Sequence, residues 1–182
     1  MNSGRLIIVA GNKRAGKTTL CSMLSKKGFI HLKCDNILDA LDEAIGSNKY
    51  DFNFFNALVS KYYKDAEEYN QDIVFDVYDF NPSVLKNITL FNKVEIFILA
   101  YPNTSKEDIK YCLQNYGEEF QWNKTMSLDD LDRNIDLIFE KNIILDEESK
   151  IHNIKLFDVG IKNERAKKIT DIYNYIINGQ IK

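Results

Sequence analysis

The sequence predicts an α/β domain: a five-stranded parallel sheet in the middle layer, with helices on both faces. Three observations lead there. Short apolar runs, of the kind that fill a sheet covered on both sides, recur at residues 6–10, 29–33, 73–77, 94–100 and 154–159. Between them, apolar residues fall at helical spacing. Strands that alternate with helices pair in parallel, because each crossover needs about the length of a helix. A chain of 182 residues with no internal repeat and no Gly/Ser/Pro-rich linker fits one domain, residues 1–182.

The first run, LIIVA (6–10), ends at Gly11, and a helix starts near Gly16 and Lys17. It turns Leu20, Met23 and Leu24 inward; Lys26 and Lys27 suit its negative end, and Gly28 stops it. FIHLK (29–33) leads to Asp35, after which Ile37, Leu38, Leu41 and Ile45 mark a second helix. Phe55, Leu58, Val59, Tyr62, Ala66 and Tyr69 mark a third. IVFDV (73–77) and VEIFILA (94–100) are the third and fourth strands. A helix over 106–116 follows Pro102, and a polar stretch at 117–127 follows that. The next helix starts after Ser127 with Leu128, Leu131, Ile135 and Ile138; IKLFDV (154–159) and an amphipathic helix over 164–177 close the chain.

Composition excludes several classes. A net charge of −3 gives no general attraction to nucleic acid or anionic membrane, and no apolar run approaches a membrane span. Cys21, Cys34 and Cys112 are odd in number and match no metal-ligand spacing, and His31 and His152 stand alone. A reducing, cytoplasmic setting without disulfide or zinc is expected. Charge is uneven: no Asp or Glu precedes Asp35, whereas Arg5, Lys13, Arg14, Lys17, Lys26, Lys27 and Lys33 lie up to that point. That is a local positive field, suited to a polyanion smaller than DNA.

Gly11-Asn12-Lys13-Arg14-Ala15-Gly16-Lys17-Thr18 fits G-x-x-x-x-G-K-[ST], the Walker A pattern, and stands between a buried-type strand and a helix. Successive backbone N–H groups must point at phosphate oxygens there, and side chains at Gly11 and Gly16 would obstruct the approach. The helix turns its positive end to the same anion. Lys17 reaches the β and γ phosphates, Thr18 offers a hydroxyl to Mg²⁺, and Thr19 lies within reach of the α phosphate.

The order of phosphate loop, GFIHLKCDNIL, DIVFDVYD, VEIFILAYP, a late polar insert and a terminal FDVG…NER helix resembles the small P-loop kinases, across essentially the whole chain. These include nucleoside monophosphate kinases and the kinases of shikimate, gluconate and other small alcohols. The resemblance implies the P-loop nucleoside triphosphate hydrolase fold with a small helical lid, here an insert at about 104–142. It implies ATP and Mg²⁺ as cofactors and a small-molecule phosphate acceptor, with no nucleic-acid or membrane partner, in a monomer or homodimer. Asp35 matches the acidic residue that orients or deprotonates the acceptor hydroxyl; a cap on the following helix is its structural alternative. Asp76 matches the carboxylate at the end of the third strand that holds Mg²⁺ through water, with Asp79 a competitor three residues on.

Lid arginines are scarce, since the chain has only Arg5, Arg14, Arg133 and Arg165. Arg133 is the lid candidate, and Arg165 approaches the adenine side or makes a surface ion pair. Lys106, Lys110 and Lys124 are point-charge substitutes. Arg14 stands where many relatives have a third glycine, which makes it a candidate for phosphate-directed charge. The Asp-Arg-Ser and Asp-Gly-Phe-Pro-Arg signatures of nucleoside and nucleotide kinases are replaced by DVYDFN. The aromatic residues of 54–69 are either core packing or an acceptor pocket, with Lys61 or Lys64 meeting an anionic group. The resulting expectation is a kinase of a nucleotide, nucleoside or metabolite hydroxyl, or else a nucleotide-binding regulator or degenerate kinase that binds or hydrolyses ATP.

Overall fold

The computed structural model describes residues 4–46, 52–77, 80–115, 127–160 and 163–178. Along the chain run β1 (Leu6–Gly11), α1 (Lys17–Ser25), β2 (Ile30–Lys33), α2 (Cys34–Ile45), α3 (Phe52–Tyr69) and β3 (Ile73–Asp76). Then come α4 (Pro82–Leu85), β4 (Glu95–Ala100), α5 (Lys106–Asn115), α6 (Leu128–His152), β5 (Lys155–Asp158) and α7 (Asn163–Asn178). The strands form one parallel sheet in the order β2-β3-β1-β4-β5. All five expected strands are present, and β1 sits at the centre because each of its residues is buried.

The pleat of β1 divides the core. Leu6, Ile8 and Ala10 join a cluster with Phe55, Val59 and Ala66 of α3, Leu85 of α4 and Phe75 of β3. Ile7 and Val9 face the other way, onto Leu20 and Leu24 of α1, Ile135 and Ile138 of α6, and Ile169 and Ile172 of α7. Most of the α3 stripe is core: Phe55 lies 4.6 Å from Phe80 between ring centroids, and Tyr62 meets Phe75 edge-on at 5.6 Å, but Tyr69, at the last turn, is exposed. Helix α4 escaped the sequence, being a single turn with Pro82 at its start, too short for any periodicity.

The long α6 begins at Ser127, whose hydroxyl accepts from the Asp130 N–H at 3.1 Å. Ile109 and Leu113 of α5, with Leu131, Ile135 and Ile138 of α6, bury into the cluster around α1 and α7. Further on, Leu145 joins the opposite cluster, so α6 ties both halves of the core together. Residues 116–126 of the expected insert lie outside the described residues, as does Asp79. No described helix is long and apolar enough to cross a membrane.

The positive field of the amino-terminal sequence divides in space. Arg5 precedes β1, at the edge of the sheet away from Gly11, and its guanidinium holds Asp72 at 3.0 Å and the Ile176 carbonyl at 3.1 Å. Lys27 returns to that same edge at the end of α1, where it lines an open cleft of about 660 Å³ with Arg5, Gln71 and Asp72. Lys13, Arg14 and Lys17 stay with the loop after β1, and Lys33 ends β2 in register with Asp76.

Gly11 has φ +134°, and a Cβ there would overlap the Leu99 carbonyl oxygen of β4. Gly11→Ala is expected to cost about 2–3 kcal/mol through strand displacement and backbone strain. Thermal unfolding should register it as a fall of roughly 5–10 °C in Tm.

Candidate functional site

The loop between β1 and α1 is pinned on three sides. At its start, the Asn12 N–H donates to the Leu99 carbonyl at 3.0 Å, extending the β1–β4 pairing past Gly11. The Asn12 side chain is buried; its Nδ2 donates to the Ile138 carbonyl of α6 at 2.7 Å, and its Oδ1 accepts the Lys13 N–H at 2.8 Å. At its middle, the Tyr101 hydroxyl donates to the Lys13 carbonyl at 2.6 Å. At its end, Gly16 caps α1 in the left-handed region at φ +85°, where a Cβ would stand 2.9 Å from Ile169 Cδ1 of α7. Gly11 thus answers to the backbone of β4 and Gly16 to its left-handed φ, and the clearance they leave for an anion comes with it. Ala15 is buried beneath the loop.

Arg14 adopts φ +59°. This explains why the glycine-rich pattern favours glycine there: a side chain in this conformation costs on the order of 1 kcal/mol.

Lys17 and Thr18 start α1 at the carboxyl edge of the sheet. Lys17 is buried, and its ammonium donates to the Asn12 carbonyl at 3.0 Å. Burial pushes its pKa down, while the charges of Asp76 and then Asp35 pull it back up. Thr18 Oγ1 donates to Asp76 Oδ2 at 2.7 Å, and Asp76 is only 5% exposed at the end of β3. Asp35 lies in the first turn of α2, whose N-cap is Lys33, so it does not take the capping position that was its structural alternative. Thr19, one residue deeper, is exposed.

Two neighbours of this centre were not legible in the sequence. Lys141 of α6, three residues beyond Ile138, lies close enough for its charge to lower the pKa of Lys17. His31 of β2 places Nε2 3.5 Å from Asp76 Oδ2. With Cys21 they form a group whose ligand atoms lie within 4.8 Å of one another, which corrects the view of His31 and Cys21 as isolated. Residues ten and forty-five positions apart in the chain carry no spacing signal. Burial raises the Cys21 thiol well above its ordinary pKa, with the Asp76 charge adding to the effect.

Arg165 lies where α7 meets the loop. Its guanidinium stacks 5.4 Å from the Tyr101 ring and donates to the Gly160 carbonyl after β5 at 3.2 Å. Burial lowers its pKa, the Tyr101 hydroxyl opposes that, and Arg14 lies close enough to add to it. Arg133 does not join this group: it is 74% exposed, with Asp130 at 3.9 Å. Five residues of helix set it about 140° around the α6 axis from Ile138, which faces the loop. Lys106 and Lys110 bind Asp136 and Asp132 at 2.6 and 2.8 Å. Lys124 lies outside the described residues.

The fold has counterparts of known structure. Shikimate kinase from Acinetobacter baumannii, in complex with shikimate, matches with a TM-score of 0.56 at 14% identity, over 98% of this chain and 96% of that one. Shikimate kinase from Bacteroides thetaiotaomicron gives 0.52 at 13% identity, over 95% and 98%. A gluconokinase from Sinorhizobium meliloti 1021 gives 0.51 at 10% identity, over 99% of each chain. The fold is that of the small P-loop kinases. No protein-family model and no curated protein matches the sequence. At these identities the likeness is one of fold, and what the P-loop site does here is argued from its own residues.

The positive φ at Arg14 separates backbone strain from charge. Arg14→Gly is expected to be more stable than Arg14→Ala by about 1 kcal/mol in urea unfolding, because both remove the guanidinium and only glycine relieves the backbone.

Proposed function

We propose that this chain is an ATP- and Mg²⁺-dependent phosphotransferase that moves a γ-phosphoryl group to a small-molecule acceptor: a nucleotide, a nucleoside or a metabolite hydroxyl. The observation that carries this reading is the 2.7 Å bond from Thr18 Oγ1 to the buried Asp76 carboxylate, on the loop that also positions Lys17. A hydroxyl and a carboxylate are the hard oxygen donors that Mg²⁺ takes, so Thr18 would ligate the ion and Asp76 would hold water of its shell. The ion would supply charge neutralisation at the phosphate oxygens.

The chain's own residues account for the rest. Backbone groups from Gly11 to Gly16, with Thr18 and Thr19 in the first turn of α1, would cradle the phosphates. Lys17 would exchange the Asn12 carbonyl for phosphate oxygens, recovering part of what its burial costs. Asp35 would orient the acceptor hydroxyl and take its proton. Arg14 and Lys141 would add positive charge where negative charge is concentrated. Arg165, stacked on Tyr101, would border the adenine. Residues 104–142 would act as the lid that excludes water. The chain would work in the cytoplasm as a monomer or homodimer.

A second reading, a regulator that binds or hydrolyses ATP without transferring phosphate, is favoured by one observation: Arg133, the lid arginine candidate, is exposed and turned from the loop. An acceptor screen decides between the two. Purified protein with ATP and Mg²⁺ is incubated with nucleosides, nucleoside monophosphates, sugars and small alcohols, and phosphorylated product is identified by mass. ATP binding or hydrolysis with no product from any acceptor class would favour the regulator.

Once an acceptor is known, Lys17→Ala should lower transfer by at least about 100-fold. Asp35→Asn should keep ATP affinity within about twofold while lowering transfer by about 10²–10⁴. Full activity in Asp35→Asn would remove Asp35 from catalysis.

A further inference from the structure

Asp76 has further neighbours besides Thr18. Thr18 approaches its Oδ2 from the first turn of α1, and His31 approaches the same oxygen from β2; Cys21, in the second turn of α1, faces a carboxylate oxygen of Asp76. The Cys21 sulfur, the His31 ring nitrogen and an Asp76 oxygen all lie within 4.8 Å of one another. Cys21 and Asp76 are buried, and the His31 side chain is 11% exposed. His31 Nε2 is itself fully shielded and has no hydrogen-bond partner, although Asp76 stands 3.5 Å away. A shielded ring nitrogen that faces a carboxylate and a thiol without bonding to either is suited to a cation between them.

The spacing is also suited. Ligands bound tetrahedrally at about 2.0–2.3 Å lie roughly 3.3–3.7 Å apart. The His31–Asp76 separation of 3.5 Å already has that value. The sulfur needs to close by at most about 1 Å, which a Cys side-chain adjustment accomplishes.

From this geometry we propose that Cys21, His31 and Asp76 form a three-ligand site for a divalent cation that favours sulfur and nitrogen, with Zn²⁺ the best fit. Thiolate, imidazole and carboxylate are the donors zinc takes, whereas Mg²⁺ prefers oxygen alone. Water completes the fourth position. On binding, the Cys21 thiol releases its proton to solvent and the sulfur–metal bond forms. Because Asp76 Oδ2 is the oxygen that Thr18 also uses, an ion here draws the carboxylate away from Thr18. The site would therefore link a thiophilic metal to the state of the phosphate loop. Binding does not depend on the phosphotransfer reading, and the test keeps the two apart.

Cobalt(II) is the probe, added to the reduced full-length protein. The expected result is one ion per chain, a thiolate-to-cobalt charge-transfer band in the near ultraviolet, and displacement by Zn²⁺. Cys21→Ser should abolish the band, and His31→Gln should weaken cobalt binding at least about tenfold. Cys34→Ser and Cys112→Ser should leave both unchanged. Absence of one-to-one binding in the wild type would overturn the proposal, as would a band that survives Cys21→Ser or disappears with Cys112→Ser. Should Cys21→Ser not fold, His31→Gln decides alone: unchanged cobalt affinity in that variant sinks the site.

Discussion

Position 11 is where the backbones of β1 and β4 come too close for a side chain. A Cβ on Gly11 would overlap the Leu99 carbonyl oxygen, and that same carbonyl accepts the Asn12 N–H. The loop therefore leaves the sheet at a fixed height and angle, with Asn12 directed under α6 and Lys13 held beneath Tyr101. Everything downstream inherits this placement: α1 starts where Gly16 meets Ile169, and Lys17 and Thr18 arrive beside β3. A shift of the loop relative to β4 would separate Thr18 from Asp76, because the two belong to different elements and share only this bond.

Electrostatically, the site is a buried cation between carboxylates. Lys17 is costly to bury, and its compensation comes from Asp76, Asp35 and the Asn12 carbonyl. The same carboxylate charge discourages ionisation of Cys21, whose thiol is raised mainly by its burial. Asp76 is thus the shared element: it bonds to Thr18, balances Lys17 and faces His31. On the other side of the loop the charge balance reverses, with Arg14 near Arg165 and the Tyr101 ring and hydroxyl between α7 and the loop.

Much of this was legible in the residues. The five apolar runs became the five strands; β1, β3 and β4, inside the sheet, are buried almost throughout, while the edge strands β2 and β5 are partly exposed and carry His31, Lys33 and Lys155. The phosphate-loop pattern stands between β1 and α1, Asp76 ends β3, and Asp35 lies in the first turn of α2 just after β2. The reason for the glycines was incomplete: Gly11 is demanded by the Leu99 backbone of β4, and Gly16 by its left-handed φ. Phe55 and Tyr62 of α3 pack as core because Phe75 and Phe80 supply the facing rings, while Tyr69 at the helix end is exposed. The amino-terminal run of positive charge looked like one field, and the return of α1 divides it between the two edges of the sheet.

By itself, the sequence determined the strands, the longer helices, their parallel arrangement and the strand–loop–helix that carries the Walker A pattern, because hydrophobic periodicity and local turn chemistry act over a few residues. The tertiary structure alone decided which distant side chains meet. It brought His31, Cys21 and Asp76 to one point and set Lys141 near Lys17. It also left Arg133 in solvent. Those outcomes depend on strand order and on the rotation of α6 about its axis, and neither is encoded in the spacing of any one segment.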